Sequence, residues 1–223
     1  DIGQIPGEAM AQKDALSREY EEICNIFLEE GADFFVFETF SEMEELLPAI
    51  KMIGEQAFIT VQFSVNQFGY SAAGLSAKRL LADAAAVPEI DAVGLNCGVG
   101  PAHMRQILEK AGRPGDKFLL AIPNAGYPTL TRNKLQFGNT PAYFAEKMKE
   151  LQALGADILG GCCGTTPEFI GELSSWDGIL NKIVLDTETD NGEQTGHVQR
   201  HGFLYDENGE RKQKKLIAVE LAP

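Results

Sequence analysis

The chain has 223 residues, of which 44% are hydrophobic and 23% are charged. This composition is ordinary for a globular protein and allows a sizeable core. The formal net charge is −14, and no basic face precedes the C-terminal tail, so nucleic acid and anionic membranes are excluded as expected partners. No apolar run approaches the roughly 20 residues that span a bilayer.

In chain order, a long amphipathic helix is predicted over Glu8–Glu30, followed by apolar runs that alternate with helical patterns. The predicted strands are Phe34–Glu38, Phe58–Val65, Val93–Cys97, Phe118–Asn124 and Ile158–Cys162. The predicted helices are Ser41–Gly54, Ser76–Ala86, Ala102–Ala111, Thr140–Leu154 and one beginning near Pro167. The strands are nearly continuous apolar stretches, which is typical of parallel strands covered on both faces.

The spacing of the strands, about 30 residues, indicates repeated βαβ units and leaves a TIM barrel or a doubly wound sheet. A polar or metal-binding residue follows every strand: Glu38, Asn66, Asn96 with Cys97, Asn124, and Cys162 with Cys163. In a barrel all strand ends converge on one face, whereas an open sheet focuses ligands at one switch point. We therefore predict an α/β fold, a (βα)8 TIM barrel represented by an incomplete portion, strands 4 to 8.

A closed barrel needs eight strands, so we expect three strands upstream and unpaired edges on Phe34–Glu38 and Ile158–Cys162. After Lys182 the pattern dissolves into a polar, glycine-containing stretch, which predicts a linker over 183–215. A last apolar strand is predicted over Leu216–Leu221. The expected organisation is a barrel portion over 1–182, the linker, and a further segment over 216–223.

Three cysteines lie at predicted strand ends: Cys97 after one strand, and Cys162 and Cys163 after another. Three thiols from two strand ends predict a zinc site with one coordination position left for a substrate, because soft thiolates favour zinc over magnesium, calcium or manganese. Adjacent side chains on a regular strand point to opposite faces, so the chain must bend there, and Gly160, Gly161 and Gly164 permit it. The alternative is that the cysteines are chance core residues.

The fourth cysteine, Cys24, falls inside a helical pattern beside Ile23 and Ile26. We expect it to be a small buried hydrophobe. Four cysteines are too few for a disulfide scaffold in a chain of this length, which predicts a reducing, cytoplasmic environment. His103 is expected to be an ordinary helix residue.

The metal motifs carry a family resemblance. Gly94-Leu95-Asn96-Cys97 and Gly160-Gly161-Cys162-Cys163-Gly164-Thr165-Thr166-Pro167 resemble the zinc motifs of the homocysteine S-methyltransferases, over roughly Asp1 to Leu180. The resemblance implies a TIM barrel whose zinc, on Cys97, Cys162 and Cys163, binds the homocysteine thiolate. The implied reaction is methyl transfer to that thiolate, giving methionine. The sequence does not name the donor, which could be methyltetrahydrofolate, S-methylmethionine or betaine.

The same resemblance implies substrate-binding residues. The strand that ends at Glu38 resembles the family strand whose terminal glutamate holds the substrate amino group; the alternative is a solvated carboxylate. Asn124, in Asn-Ala-Gly, resembles a family segment near the site. Asn96, within the first zinc motif, is the third expected substrate-binding residue.

The chain also departs from the family pattern. Phe169 stands where the family usually has a histidine, which is not a zinc ligand. The family's opening strand, with its glycine-rich acidic motif, is not found, and Asp1–Gly7 resembles the loop after the third barrel strand. Residues 216–223 resemble the opening strand of methylenetetrahydrofolate reductase, which implies a fused downstream domain that binds FAD. A competing function is therefore a non-catalytic zinc-binding fragment that has lost its substrate pocket.

Overall fold

A computed structural model describes residues 6–131, 134–174 and 217–219 of the protein. The strands are β1 Phe34–Phe40, β2 Phe58–Phe63, β3 Ala92–Asn96, β4 Phe118–Ile122, β5 Pro128–Thr131, β6 Lys134–Phe137, β7 Ile158–Gly161 and β8 Ile217–Val219. The α-helices are α1 Pro6–Glu29, α2 Leu47–Ile53, α3 Ala77–Ala85, α4 Pro101–Ala111, α5 Pro141–Ala153 and α6 Pro167–Ser174. The predicted linker, 183–215, lies outside the described residues.

All five predicted sheet strands are present and pair in parallel, in the order β1-β2-β3-β4-β7. A helix lies between each of these strands and the next, so the predicted α/β class is confirmed. Capping side chains begin two of these helices: Ser76 accepts a hydrogen bond from the Arg79 amide, and Thr140 accepts one from the Tyr143 amide. No helix among the described residues is long and apolar enough to cross a membrane.

The sheet has two apolar faces, which explains why its strands read as continuous hydrophobic runs. One face packs against the helices, and its core includes Ile59, Val61 and Phe63 of β2 with Ile50 and Leu80 from the helices. The other, which we call the inner face, is a smaller cluster made from strand residues and one metal-motif cysteine. Its buried members are Phe58, Ala92, Phe118, Leu120, Ile122, Ile158 and Cys162.

The inner face is covered unevenly. The inner-facing residues of β3 and β4 are buried, whereas Phe34 and Val36 of β1 are 38% and 49% exposed. The alternating burial of β1 is that of a strand covered on one side. Beside it, Phe27 of α1 is 54% exposed. The β1 side of the sheet is therefore its open side.

The two sheet edges differ from expectation in one respect. β1 is an edge strand of the described sheet, as predicted, but β7 pairs in parallel with Ile217–Val219. The predicted unpaired edge on Ile158–Cys162 is therefore wrong. A free edge presents a row of N–H and C=O groups that readily take another strand, and the chain's own last apolar segment pairs with this one. The assignment of 216–223 to a following domain stays a prediction.

A hairpin that was not among the predicted elements lies between β4 and α5. Its strands β5 and β6 pair in antiparallel register, with Pro128 opposite Phe137 and Thr131 opposite Lys134. Both strands are only four residues long, so the alternation of apolar and polar residues along them is too short to predict a strand. The hairpin brings Phe137 to the cysteine motif that follows β7.

Candidate metal centre

The three cysteines predicted to form a metal site come together. Cys97 follows β3, while Cys162 and Cys163 follow β7, and their three sulfur atoms all lie within 4.8 Å of one another. The Cys97 and Cys163 sulfurs are 3.7 Å apart, and those of Cys162 and Cys163 are 4.0 Å apart. The chain bends at the double cysteine, so that neighbouring side chains reach one point.

A left-handed turn at the end of β3 presents Cys97. Its φ is 54°, which is uncommon for a non-glycine residue, and its amide donates to the Ile122 carbonyl at 3.0 Å. Gly98 follows with φ 69°, and a Cβ there would lie 2.3 Å from the Val65 carbonyl oxygen. Glycine is required at that position because both the backbone angle and the space exclude a side chain.

The double cysteine is held by backbone hydrogen bonds to the end of β4. The Cys162 amide donates to the Pro123 carbonyl at 2.9 Å, and the Ala125 amide donates to the Cys163 carbonyl at 3.0 Å. Gly164 closes the turn with φ 78°, and a Cβ there would collide with the Phe137 ring at 2.2 Å. The hairpin that sequence reasoning missed therefore packs directly on the cysteine turn.

The spacing of the sulfur atoms fits a metal bound by thiolates. Zinc–sulfur bonds of about 2.3 Å in a tetrahedral arrangement place two sulfurs about 3.8 Å apart. Two of the sulfur pairs, at 3.7 and 4.0 Å, bracket that value. Cys162 is buried while Cys97 and Cys163 are half-buried, so the cluster is open on one side. Three thiols with an open side can hold a soft metal ion and leave a position for a ligand.

The surroundings of two cysteines shift the pKa values of their thiols in opposite directions. The pKa of the Cys97 thiol is lowered to about 5, chiefly by a hydrogen bond from Cys162, with further donors from the Gly98 amide, Cys163 and Asn124, while burial opposes the shift. Burial raises the pKa of Cys24, which lies on α1, 4% exposed and outside the cluster. His103 also lies outside the cluster and contacts the Tyr127 ring edge-on.

Glu38 and Asn96 are joined across the strand ends. Glu38 lies exposed two residues before the end of β1, and the fully buried Asn96 ends β3. The Asn96 side-chain amide donates to a Glu38 carboxylate oxygen at 3.4 Å and to the Thr39 hydroxyl at 2.9 Å. Because Asn96 directly precedes Cys97, Glu38 is linked to the thiol cluster through one side chain.

Asn124 lies beside the cluster, just after β4. It is 7% exposed, and its side chain donates a hydrogen bond to the Cys97 sulfur. Its Oδ1 is buried and has no hydrogen-bond partner among the described residues. The structure thus brings Asn124 to the thiol cluster, while its predicted contact with substrate stays a prediction.

Sequence reasoning missed Gln62, a buried polar residue on the strand that pairs with β3. It lies on β2, paired in register with Gly94, and is only 2% exposed. Its Oε1 is buried without a hydrogen-bond partner among the described residues. An amide in the middle of the apolar run Phe58–Phe63 was the available signal, since a polar side chain inside a buried strand requires a partner.

Comparison with known proteins places these features in a family context. Residues 2–176 match the sequence profile of the homocysteine S-methyltransferase family. Methionine synthase from Mycobacterium leprae (strain TN) is 30% identical over 164 residues, which are 70% of this chain and 14% of that protein. Methionine synthase from Mycobacterium tuberculosis (strain ATCC 25618 / H37Rv) is 29% identical over the same shares. The chain spans only a small part of these relatives.

Solved structures show the same fold. The homocysteine methyltransferase MmuM from Escherichia coli, in its apo form, matches with a TM-score of 0.58 and 22% identity, over 73% of this chain and 56% of that one. Its metallated form matches with a TM-score of 0.55 and 21% identity, over 70% and 51%. The five-stranded parallel sheet therefore corresponds to part of a homocysteine methyltransferase fold, and closure into eight strands stays a prediction.

Proposed function

Because the chain belongs to the homocysteine S-methyltransferase family, we propose that its thiol cluster is the site where homocysteine accepts a methyl group to become methionine. In that reaction the thiol gives up its proton, a bond forms between its sulfur and the methyl carbon, and the donor's bond to that carbon breaks. The observation that carries the proposal is the convergence of Cys97, Cys162 and Cys163 within 4.8 Å.

We propose zinc as the metal held by Cys97, Cys162 and Cys163. Its fit rests on the three soft ligands and on sulfur separations of 3.7 and 4.0 Å. Bound there, zinc would supply an open position that favours the thiolate over the thiol of the substrate. The protein's own part is to keep the three thiols converged through the turns at Gly98 and Gly164.

Glu38 is proposed to hold the substrate ammonium. Glu38 is exposed near the carboxyl end of β1, and a charge-assisted hydrogen bond of this kind contributes about 1.5–3 kcal/mol. Asn124 is proposed as a second contact, since it lies against Cys97 with a buried, unpartnered Oδ1. Asn96, the third residue predicted to bind substrate, is fully buried.

The surroundings of the site are proposed to include further strands. Phe34 and Val36 expose apolar surface on the inner face at 38% and 49%, and strands that complete a barrel would cover it. The assignment of 216–223 to a following, FAD-binding reductase domain is a separate proposal, and the pairing of Ile217–Val219 with β7 competes with it. Flavin absorbance in the full-length protein would support the reductase assignment, and its absence would count against it.

A donor screen on the zinc-loaded full-length protein tests the proposed function. Homocysteine is offered with methyltetrahydrofolate, S-methylmethionine or betaine, and methionine is measured by mass spectrometry. We expect one donor to give methionine, Cys163→Ser to abolish it and Cys24→Ala to retain it. Equal methionine formation by Cys163→Ser would contradict the proposal, as would the lack of product with all three donors.

The exposed inner face of β1 favours a second candidate, a zinc-binding unit without a substrate pocket. Calorimetric titration of homocysteine into the zinc-loaded 223-residue chain separates the two. Saturable binding that depends on Cys163 supports the methyltransferase site. Zinc bound at full stoichiometry without any homocysteine binding supports the non-catalytic alternative.

A further inference from the structure

The residue after Glu38 has an unusual backbone conformation. The register between β1 and β2 shifts between Phe37 and Phe40, which indicates an extra residue in β1. Within this bulge Thr39 has φ 65°, a left-handed conformation that β-branched residues rarely adopt. Such a conformation persists only where the surroundings hold it, and bulges commonly re-aim a side chain beside a site.

Asn96 supplies the contacts that hold Thr39. Its Oδ1 accepts a hydrogen bond from the Thr39 amide at 2.8 Å, and its Nδ2 donates to the Thr39 hydroxyl at 2.9 Å. The same Nδ2 donates to Glu38 at 3.4 Å. One carboxamide, 57 residues away in sequence, thus contacts backbone and side chain of the bulge together.

Burial separates Asn96 from any ligand that enters at the strand ends. Its exposed fraction is 0%, and an asparagine has two N–H donors and one carbonyl oxygen. The three hydrogen bonds to Thr39 and Glu38 use both donors and one lone pair of the oxygen. Little capacity and no surface are left for a substrate.

We propose that Asn96 is a positioning residue: it holds the β1 bulge at Thr39 and thereby aims the Glu38 carboxylate toward the thiol cluster, without contacting the substrate itself. This role rests on the proposed function for Glu38 and replaces the expectation that Asn96 binds substrate directly. It also explains why asparagine directly precedes Cys97: the same short segment carries a metal ligand and fixes the distance to the substrate-binding carboxylate.

A double-mutant cycle tests whether Asn96 acts through Glu38. Homocysteine affinity of the zinc-loaded full-length protein is measured by calorimetry for Asn96→Ala, Glu38→Gln and the double variant. We expect each single substitution to weaken binding by roughly ten-fold, and the double variant to be within about two-fold of Glu38→Gln, because coupled residues are non-additive. Losses that multiply to roughly a hundred-fold, or an unchanged affinity in Asn96→Ala, would overturn the proposal.

A second variant guards against misfolding of Asn96→Ala. Thr39→Val keeps the shape of an exposed side chain and removes only the hydroxyl that Asn96 donates to. It should weaken homocysteine binding several-fold with unchanged zinc stoichiometry. Asn66→Ala is the matched control. The Asn66 side chain also follows a strand and accepts hydrogen bonds from backbone amides, but these are the amides of Phe68 and Tyr70 in its own loop. Equal effects of Thr39→Val and Asn66→Ala would overturn the role.

Amide hydrogen exchange tests, without any ligand, whether Asn96 holds the β1 bulge at Thr39. The Thr39 amide should be protected in the wild-type protein and in Asn66→Ala, and should lose protection at least ten-fold in Asn96→Ala. A Thr39 amide that exchanges freely in the wild-type protein would overturn the proposed role of Asn96. If the wild-type protein does not bind homocysteine, the proposed function fails while this exchange result still decides whether Asn96 holds the bulge.

Discussion

Two regions of the sheet differ in how fully the described residues build them. One is formed by the carboxyl ends of β3, β4 and β7, and the other is the β1 side of the sheet. At the three strand ends, the amides of Cys97 and Cys162 donate to carbonyls of the β4 end, and three thiols meet. On the β1 side, Phe34 and Val36 leave the inner face exposed at 38% and 49%. The described residues thus contain the whole thiol cluster, whereas the inner face on the β1 side is left partly uncovered.

This difference separates two properties that a catalytic site requires. Metal binding needs the three strand ends and their turns, all of which the described residues contain. Substrate enclosure needs an inner face closed on every side, because excluding water strengthens electrostatic contacts such as the one proposed for Glu38. Metal affinity should therefore depend on the cysteine turns alone, and substrate affinity on both regions.

The largest expected effect compares core packing in the two regions. Phe63→Ala, on the covered helix face with no exposed surface, should lower the free energy of unfolding by about 3–5 kcal/mol. Val36→Ala, 49% exposed on the inner face, should lower it by less than about 1 kcal/mol. Urea denaturation measures both. Similar losses would mean that the β1 side is covered in solution, which would break the comparison.

Metal affinity should fall next most strongly. Cys162→Ser removes a buried ligand, and changes to groups that merely support metal ligands already cost about 10–100-fold in affinity, so we expect more than a 100-fold loss. Competition with a chromophoric chelator measures it. Cys24→Ala is the control, since Cys24 lies outside the cluster on α1. Full zinc affinity in Cys162→Ser would exclude it as a ligand.

The cysteines should also differ in ionisation in the metal-free protein. With a pKa of about 5, Cys97 should be almost fully thiolate at pH 7, about thirty times the ionised fraction of a free thiol of pKa about 8.5. Mass spectrometry after iodoacetamide pulses should show Cys97 alkylation that hardly changes between pH 6.5 and 8.5, and little alkylation of Cys24, whose pKa burial raises. A Cys97 rate that rises ten-fold per pH unit would contradict the assignment.

The lowered pKa of Cys97 also determines how the stability of the metal-free protein changes with pH. Because folding lowers the pKa of Cys97, ionised Cys97 stabilises the metal-free fold. That contribution is complete above the pKa of an unfolded thiol, about 8.5, and is lost as the pH falls toward 5. Urea denaturation of metal-free protein should show a smaller pH dependence in Cys97→Ser over this window.

The smallest effect concerns the β1 side alone. Glu38→Gln should weaken homocysteine binding by roughly ten-fold, since one charge-assisted hydrogen bond is lost, and should leave zinc affinity unchanged. Glu55→Gln is the matched control. Glu55 is an exposed glutamate in the short 3-10 helix that precedes β2, so it lies at the amino end of a sheet strand, whereas Glu38 lies near a carboxyl end. Unchanged homocysteine affinity in folded Glu38→Gln would remove Glu38 from the site.

Much of this architecture was predictable because its signals are local. Continuous apolar runs identified β1, β2, β3, β4 and β7, and thiols at two strand ends identified the cluster that the structure brings within 4.8 Å. The predicted β1 ended two residues early, at Glu38, whereas the other four predicted strands ran one or two residues too far at their carboxyl ends. After β3, for example, Cys97 turns into a left-handed conformation. That turn depends on space beside Val65, a tertiary feature that apolar periodicity does not encode.

The features that escaped prediction are set by distant contacts. The β5–β6 hairpin is defined by its packing on Gly164. The last strand, β8, lies within a predicted strand, but its pairing with β7, more than 50 residues earlier in the chain, was not predicted. The link from Asn96 to Thr39 and Glu38 joins strands that are not adjacent in the sheet. None of these leaves a periodic pattern, so residue types at strand ends identified candidates without showing how they are connected.

X-ray absorption at the zinc edge, with and without homocysteine, tests the central claim that three thiols hold a metal with a position left for the substrate sulfur. The zinc-loaded full-length protein should show three sulfur neighbours at about 2.3 Å, rising to four when homocysteine saturates the site. Cys24→Ala should give the same two spectra. A sulfur count that stays at three with homocysteine bound, or that is already four without it, would contradict the account.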